Sequence, residues 1–323
     1  MKRNLKRIAI GTTYLSFGLA VCILCACESY PLRKPSGGRP FEALIVGDTD
    51  SIIRQVLEAD AEGLPQPEPA FDVSTVATKD FKHPLTMARN IVTLTIDPAA
   101  PDVRIRYEKN VYAEPQMIVR ITAPDTEALR NYLGHGAEAV RQLLQRAEMN
   151  AQIDRLRRQR NVKAERMVNR MFGAEMMIPM DMTSGKRGRN FLWLSNNAAR
   201  GMQNICIYTV RKGDIVALRD SVMRANIPGA TDSIYMSTLR TSVRISRVTE
   251  KGQIGRQMTV ARGLWEMKHD AMGGPFVLHG LDRPDGRIVV AEAFVYAPEM
   301  KKRNLMRLLE ASLYTLNFKD NGR

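Results

Sequence analysis

The hydrophobic period of this chain changes just after Pro124, and that change restricts the folds open to it. Up to that point apolar residues come in short runs. Residues 41–46, 71–76, 91–96, 103–107 and 117–121 read as strands, rich in β-branched side chains and bounded by Pro, Gly and Asp. From Asp125 or Thr126 the spacing becomes helical. Allowing for a break at Gly134-His135-Gly136, the pattern continues to Phe172 and stops at Gly173, a C-cap residue. Ile153, Leu156, Ala164, Met167 and Met171 keep an apolar stripe along it. Residues 137–172 predict about 54 Å of helix at 1.5 Å per residue. A helix of that length between two strand-rich stretches predicts two halves and a rail joining them.

The flanking segments fill in those halves. In the first, Asp48 or Thr49 can cap a short helix with Ile52, Ile53, Val56 and Leu57 on one face. Leu64-Pro65-Gln66-Pro67-Glu68-Pro69 then forces an extended path, because each Pro fixes φ and removes a donor. In the second, strands are expected at 191–194, 205–210, 243–248, 257–268, 276–279 and 288–296, with helices at 214–225 and 299–316. Pro-strand echoes suggest a tandem duplication: Leu64-Pro65 before 71–76 against Ile227-Pro228 before 235–239, and Ala123-Pro124-Asp125 against Ala297-Pro298-Glu299. The expected fold is α+β. Two similar halves, 41–136 and 174–323, each hold a mostly antiparallel sheet with packed helices, joined by a long basic helix over 137–173.

The N-terminus sets the expected compartment. Lys2, Arg3, Lys6 and Arg7 precede an uncharged run, residues 8–26, which is the layout of an export signal. It ends Leu24-Cys25-Ala26-Cys27, the pattern of a bacterial lipobox in which Cys27 carries the lipid. An uncleaved membrane helix and a soluble secreted product are the alternatives. Residues 1–26 are then a lipoprotein signal peptide, and 27–40 the lipidated Cys with a Pro- and Gly-rich flexible tether. Two or three acyl chains such as palmitate anchor stably where one does not. Cys206 would remain as the lone thiol, an inert buried Cys within Ile205-Cys206-Ile207.

Charge narrows the partners. The net +14 becomes +10 without the four basic residues of the signal. Outside the cytoplasm that points to anionic lipid, glycan or an envelope protein, with the membrane reached through Cys27, and away from nucleic acid. The candidate binding surface is the basic helix, through Arg155, Arg157, Arg158, Arg160, Lys163 and Arg166; its plain alternative is a solvated helix face.

Catalytic and metal signatures are sparse. Glu266, His269 and Asp270, with His279 nearby, are the candidates for metal or hydrolytic chemistry, but they fall in and beside a strand-like run. Met171, Met176, Met177, Met180 and Met182 suit core filling better than Cu(I). The Ser184–Arg189 turn lacks the P-loop frame, and GxSxG, HExxH and SxxK are missing from the sequence. No cofactor or structural metal is indicated.

Several less common motifs occur in order: Leu64-Pro65-Gln66-Pro67-Glu68-Pro69, Arg89-Asn90-Ile91, Glu114-Pro115-Gln116, Arg262-Gly263-Leu264-Trp265-Glu266, Met272-Gly273-Gly274-Pro275-Phe276 and Phe294-Val295-Tyr296-Ala297-Pro298. Together they resemble the bacterial lipoprotein family known as domain of unknown function 4837, over essentially the whole mature chain. The resemblance implies a lipid anchor and brings no activity, ligand or catalytic residue. The expected protein is therefore a lipid-anchored cell-envelope binding or scaffold protein, on the outer membrane facing the periplasm. The alternative is an extracytoplasmic hydrolase or metal-handling protein using Glu266, His269 and Asp270.

Overall fold

The computed structural model describes residues 33–249 and 257–318; Cys27 and the signal segment lie outside the described residues. In chain order the elements are β1 (Glu42–Val46), α1 (Ile52–Leu57), β2 (Asp72–Val76), β3 (Asn90–Ile96), β4 (Arg104–Lys109), β5 (Met117–Ala123), α2 (Thr126–Arg158), α3 (Val162–Phe172), β6 (Ala174–Glu175), β7 (Ser184–Arg187), β8 (Phe191–Ser195), β9 (Met202–Arg211), α4 (Ile215–Asn226), β10 (Met236–Thr249), β11 (Gln257–Met267), β12 (Gly273–Asp282), β13 (Arg287–Tyr296), α5 (Arg303–Leu313) and β14 (Asn317–Phe318). The class is α+β in two halves, with α2 between them, as the sequence predicts. Among the described residues no helix is long and apolar enough to cross a membrane.

The first sheet departs from expectation in its pairing. Its order is β2-β1-β3-β5-β4. β1 runs parallel to β2 and β3, and β3 parallel to β5; only the β4–β5 pair is antiparallel. The reason lies in burial on both faces. Val92, Val119 and Ile121 pack toward α1 and α2, while Ile91 and Ile118 pack with Leu44 and Val46 on the other side. Consecutive apolar pairs such as Ile91-Val92 and Ile118-Val119 are the mark of a parallel sheet covered on two sides. The second sheet is antiparallel, in the order β10-β11-β12-β13-β9-β8-β7. α3 and α5 cover one face of it and α4 the other. The halves thus differ in strand number, order and direction, so the expected duplication does not describe them.

The rail is not one helix. α2 passes unbroken through Gly134 and Gly136, because Leu129, Leu133, Val140 and Leu144 bury one continuous stripe against the first sheet. That packing outweighs the roughly 1 kcal/mol each helical Gly costs. Asp125 caps its start, accepting from Ala128 N at 2.7 Å. The break falls later, at 159–161, where Asn161 leaves the helix to serve the next one. Its side chain accepts from Ala164 N at 3.0 Å and donates to Met182 O at 2.8 Å, and its backbone N donates to Ile178 O at 2.7 Å.

The expected tether is also shorter than 27–40. Glu114 N donates to Lys34 O, Ser36 N to Glu114 O and Gly37 N to Met87 O, at 2.9, 3.2 and 2.8 Å, so the chain is already bound to the first half from Lys34.

The Pro-rich segment ties the halves together. It delivers Glu68, 4% exposed, to the start of α5, where its carboxylate accepts from Lys302 N at 2.7 Å and Arg303 N at 2.9 Å. α5 has no capping side chain of its own, so a residue from the other half satisfies its first donors. Arg303 answers by donating to Asp72 at 2.6 Å and to the Pro69 carbonyl. Glu68→Ala is expected to cost about 2 kcal/mol, the upper range for a lost cap. Urea midpoints of the variant and the parent measure it, and an unchanged midpoint would remove the latch from the stability of the fold.

Candidate binding surface

The basic residues singled out in the sequence sit on both sides of the 159–161 break, in two patches. On α2, Arg155 and Arg158 are three apart and share a side, while Arg157 turns away and pairs with Asp154. On α3, Lys163, Arg166 and Arg170 form an exposed stripe opposite the buried Ala164, Val168 and Phe172. Arg158, Lys163, Arg166 and Arg170 have no carboxylate partner among the described residues, and Arg160 reaches Glu165 only at 3.7 Å. Arg160, Arg166, Asn169 and Arg170 line an open hollow of about 620 Å³ that also holds Glu165 and Glu175.

A second, smaller cleft of about 270 Å³ opens on the other side of the break, where the last turns of α2 meet residues 179–181, the start of β9 and α5. Leu156, Leu308 and Leu309 give it an apolar lining, with Gln152, Arg155, Gln159, Gln203 and Asp181 as its polar groups. Arg155 Nε donates to Gln159 Oε1 at 3.2 Å. Of this set the sequence offers only Arg155 as a candidate binding residue. The others come from four separate segments, and nothing in their spacing predicts that they meet.

The remaining candidates resolve into structure. Glu266 pairs with Lys268 and accepts from the Ser237 hydroxyl at 3.4 Å. His269 and Asp270 lie in the exposed β11–β12 turn, where Asp270 accepts from Ala271 N at 2.6 Å. No group of three or more His, Cys, Asp and Glu side chains suited to a metal gathers among the described residues. Trp265 is core, its Nε1 donating to Val295 O at 3.3 Å. A Cβ on Gly274 would sit 2.1 Å from that same carbonyl, which is why a glycine stands there. Met176 and Met182 are buried in the core of the second half. Cys206 is buried, and burial with nearby Glu292 pushes its thiol well above the usual value. Residues 184–187 are the edge strand β7 rather than a free turn.

Sequence reasoning missed two buried ionic clusters. Arg219 on α4, fully buried, donates through Nε and Nη2 to Glu292 Oε1 at 2.9 and 2.7 Å, and Tyr208 donates to Glu292 Oε2 at 2.9 Å. Near the latch, Glu310 pairs with Arg262 and, at 2.9 Å, with Arg307. His279 Nε2 lies 4.0 Å from Glu310, and neither ring nitrogen has a hydrogen-bond partner among the described residues. Burial pushes His279 down to about 4 against the pull of Glu310. Glu310 is held down at about 2, Arg262 and Arg307 overcoming its burial.

Residues 161–315 match the family model of a domain of unknown function, DUF4837, and residues 36–157 match that of a second domain of unknown function, DUF8532. The resemblance to the first is therefore narrower than the motifs suggest: Leu64 to Pro69, Arg89-Asn90-Ile91 and Glu114-Pro115-Gln116 fall within the second. The two models part at the break between α2 and α3. No curated protein matches the chain. A crystal structure from Bacteroides thetaiotaomicron VPI-5482 is similar at 16% identity and a TM-score of 0.24, over 46% of each chain. The match spans less than half the length of that protein.

Proposed function

We propose that this chain, which carries the domain of unknown function 4837 over residues 161–315, is a lipid-anchored cell-envelope protein that binds partners rather than transforming them. Cys27 holds it on the outer membrane, facing the periplasm, and the basic patches beside the helix break meet anionic lipid headgroups. One observation carries the binding role: Lys163, Arg166 and Arg170 form a stripe without carboxylate partners among the described residues, beside a hollow that Arg160 also lines. Unpaired basic side chains near an anionic surface contribute about 1 kcal/mol each. The lipobox pattern at 24–27 supports the anchor.

The test separates anchor from face. Cys27→Ser should abolish palmitate incorporation and release the chain from membranes. In that lipid-free background, Arg166→Glu with Arg170→Glu should weaken binding to phosphatidylglycerol vesicles at least about tenfold in low salt, and raised salt should weaken the parent's binding likewise. Equal vesicle binding by variant and parent would remove the basic stripe from the function.

A further inference from the structure

The smaller cleft contains an arrangement that the basic stripe does not explain. Gln152 is 4% exposed and lines the cleft, and its Oε1, sealed from the open space, has no hydrogen-bond partner among the described residues. A buried acceptor left unmade costs about 1–3 kcal/mol, so a donor arriving from a ligand would be rewarded. Arg155 and Asp181 line the same cleft with opposite charges, yet no ion pair joins them. Leu156, Leu308 and Leu309 supply an apolar wall. The cavity, about 270 Å³, lies just below the usual range for small-molecule sites, which restricts the guest to a few heavy atoms beyond a single residue.

The geometry points to a binding site for a small zwitterion with an apolar side chain: a hydrophobic α-amino acid or dipeptide with free termini. Its ammonium group meets the Asp181 carboxylate and, once the Gln152 amide turns to bring its oxygen to the cleft, donates to Gln152 Oε1. Its carboxylate meets the Arg155 guanidinium, and its side chain lies on Leu308 and Leu309. Each end of the ligand is matched by a group that has no ion-pair partner among the described residues. This site goes beyond the surface-binding role, and of its residues only Arg155 also belongs to the basic set.

The test is calorimetric titration of the full chain in detergent with leucine, methionine and Leu-Leu. The blocked analogues N-acetyl-leucine and leucinamide are run beside them. Saturable binding of at least one free zwitterion is expected, with either blocked analogue weaker by at least about tenfold, the loss of one charge-assisted contact. Asp181→Asn, at an exposed position, and Gln152→Leu should each weaken it at least about fivefold. Asp181→Asn keeps the test decisive if Gln152→Leu does not fold. Vesicle binding through the Lys163, Arg166 and Arg170 stripe should persist at saturating ligand, with at most the Arg155 contribution lost, so failure of this site and failure of the basic stripe read out separately. No saturation by any of the three ligands, or equal binding of free and blocked forms, overturns the proposal.

Discussion

Glu292→Ala should be the most damaging single substitution in the second half, costing about 3–5 kcal/mol, as expected when one partner of a buried ion pair is removed. The Arg219 guanidinium left behind is fully buried. It would keep the Asp220 carboxylate at 3.6 Å, the Thr238 hydroxyl at 2.8 Å, the Met236 sulfur and the face of Phe276, whose ring centroid is 4.1 Å away. The Tyr208 hydroxyl would lose its acceptor as well. In the intact protein burial pulls the guanidinium down, but Glu292 and its neighbours raise it overall, so the charge persists. Replacing the whole cluster (Arg219→Met, Glu292→Leu, Tyr208→Phe) should recover most of the loss, since well-packed apolar residues often replace a buried pair at no cost. Urea unfolding at constant m-value measures both. A loss under about 1 kcal/mol for Glu292→Ala would mean that water reaches the cluster.

The second large effect is acid lability in two steps. His279 takes a proton at about pH 6.5 when unfolded but only at about 4 in the folded protein. Between those values the unfolded state binds more protons, so stability is intact above about 6.5 and falls as the pH drops toward 4. The full difference corresponds to about 3 kcal/mol. Glu310 acts lower down. Its folded value of about 2 lies below the ordinary 4.5, so its contribution is present above about 4.5 and is lost from there toward 2. His279→Leu should flatten the dependence between pH 6.5 and 4 and leave the lower limb in place. Urea midpoints across that range decide it. An identical slope in parent and variant would assign the loss to other groups.

What the sequence reveals and what it hides follow the range of the interactions. Local signals are legible. Asp125 and Asp214 cap the helices they precede, Gly173 ends α3 in the left-handed region, and Asp48 accepts from Ile52 N and Arg54 N at the start of α1. Strand positions follow the β-branched runs. Strand direction does not, because it depends on which faces are covered; only the doubled apolar pairs Ile91-Val92 and Ile118-Val119 hint at it. The break at Asn161 is hidden, since its partners Ile178 and Met182 lie in a later segment, whereas Gly134 and Gly136 look like a break and are not one. The candidate site divides the same way. The basic side chains are plain in the sequence, but the cleft that uses Arg155 takes Gln152, Asp181, Gln203 and Leu308 from α2, a loop, β9 and α5.

The Glu68 cap on α5 bears on how such a chain is inherited. The point where the two family models part, between 157 and 161, is the seam at which one half would be exchanged for another. A recombination there would carry Glu68 away from Lys302 N and Arg303 N and leave Arg303, 3% exposed, without Asp72. A new N-terminal half would need its own carboxylate at that spot before the C-terminal half could keep its last helix. The seam in sequence is thus not a seam in packing, and the C-terminal half is expected to need its N-terminal neighbour to hold the start of its last helix.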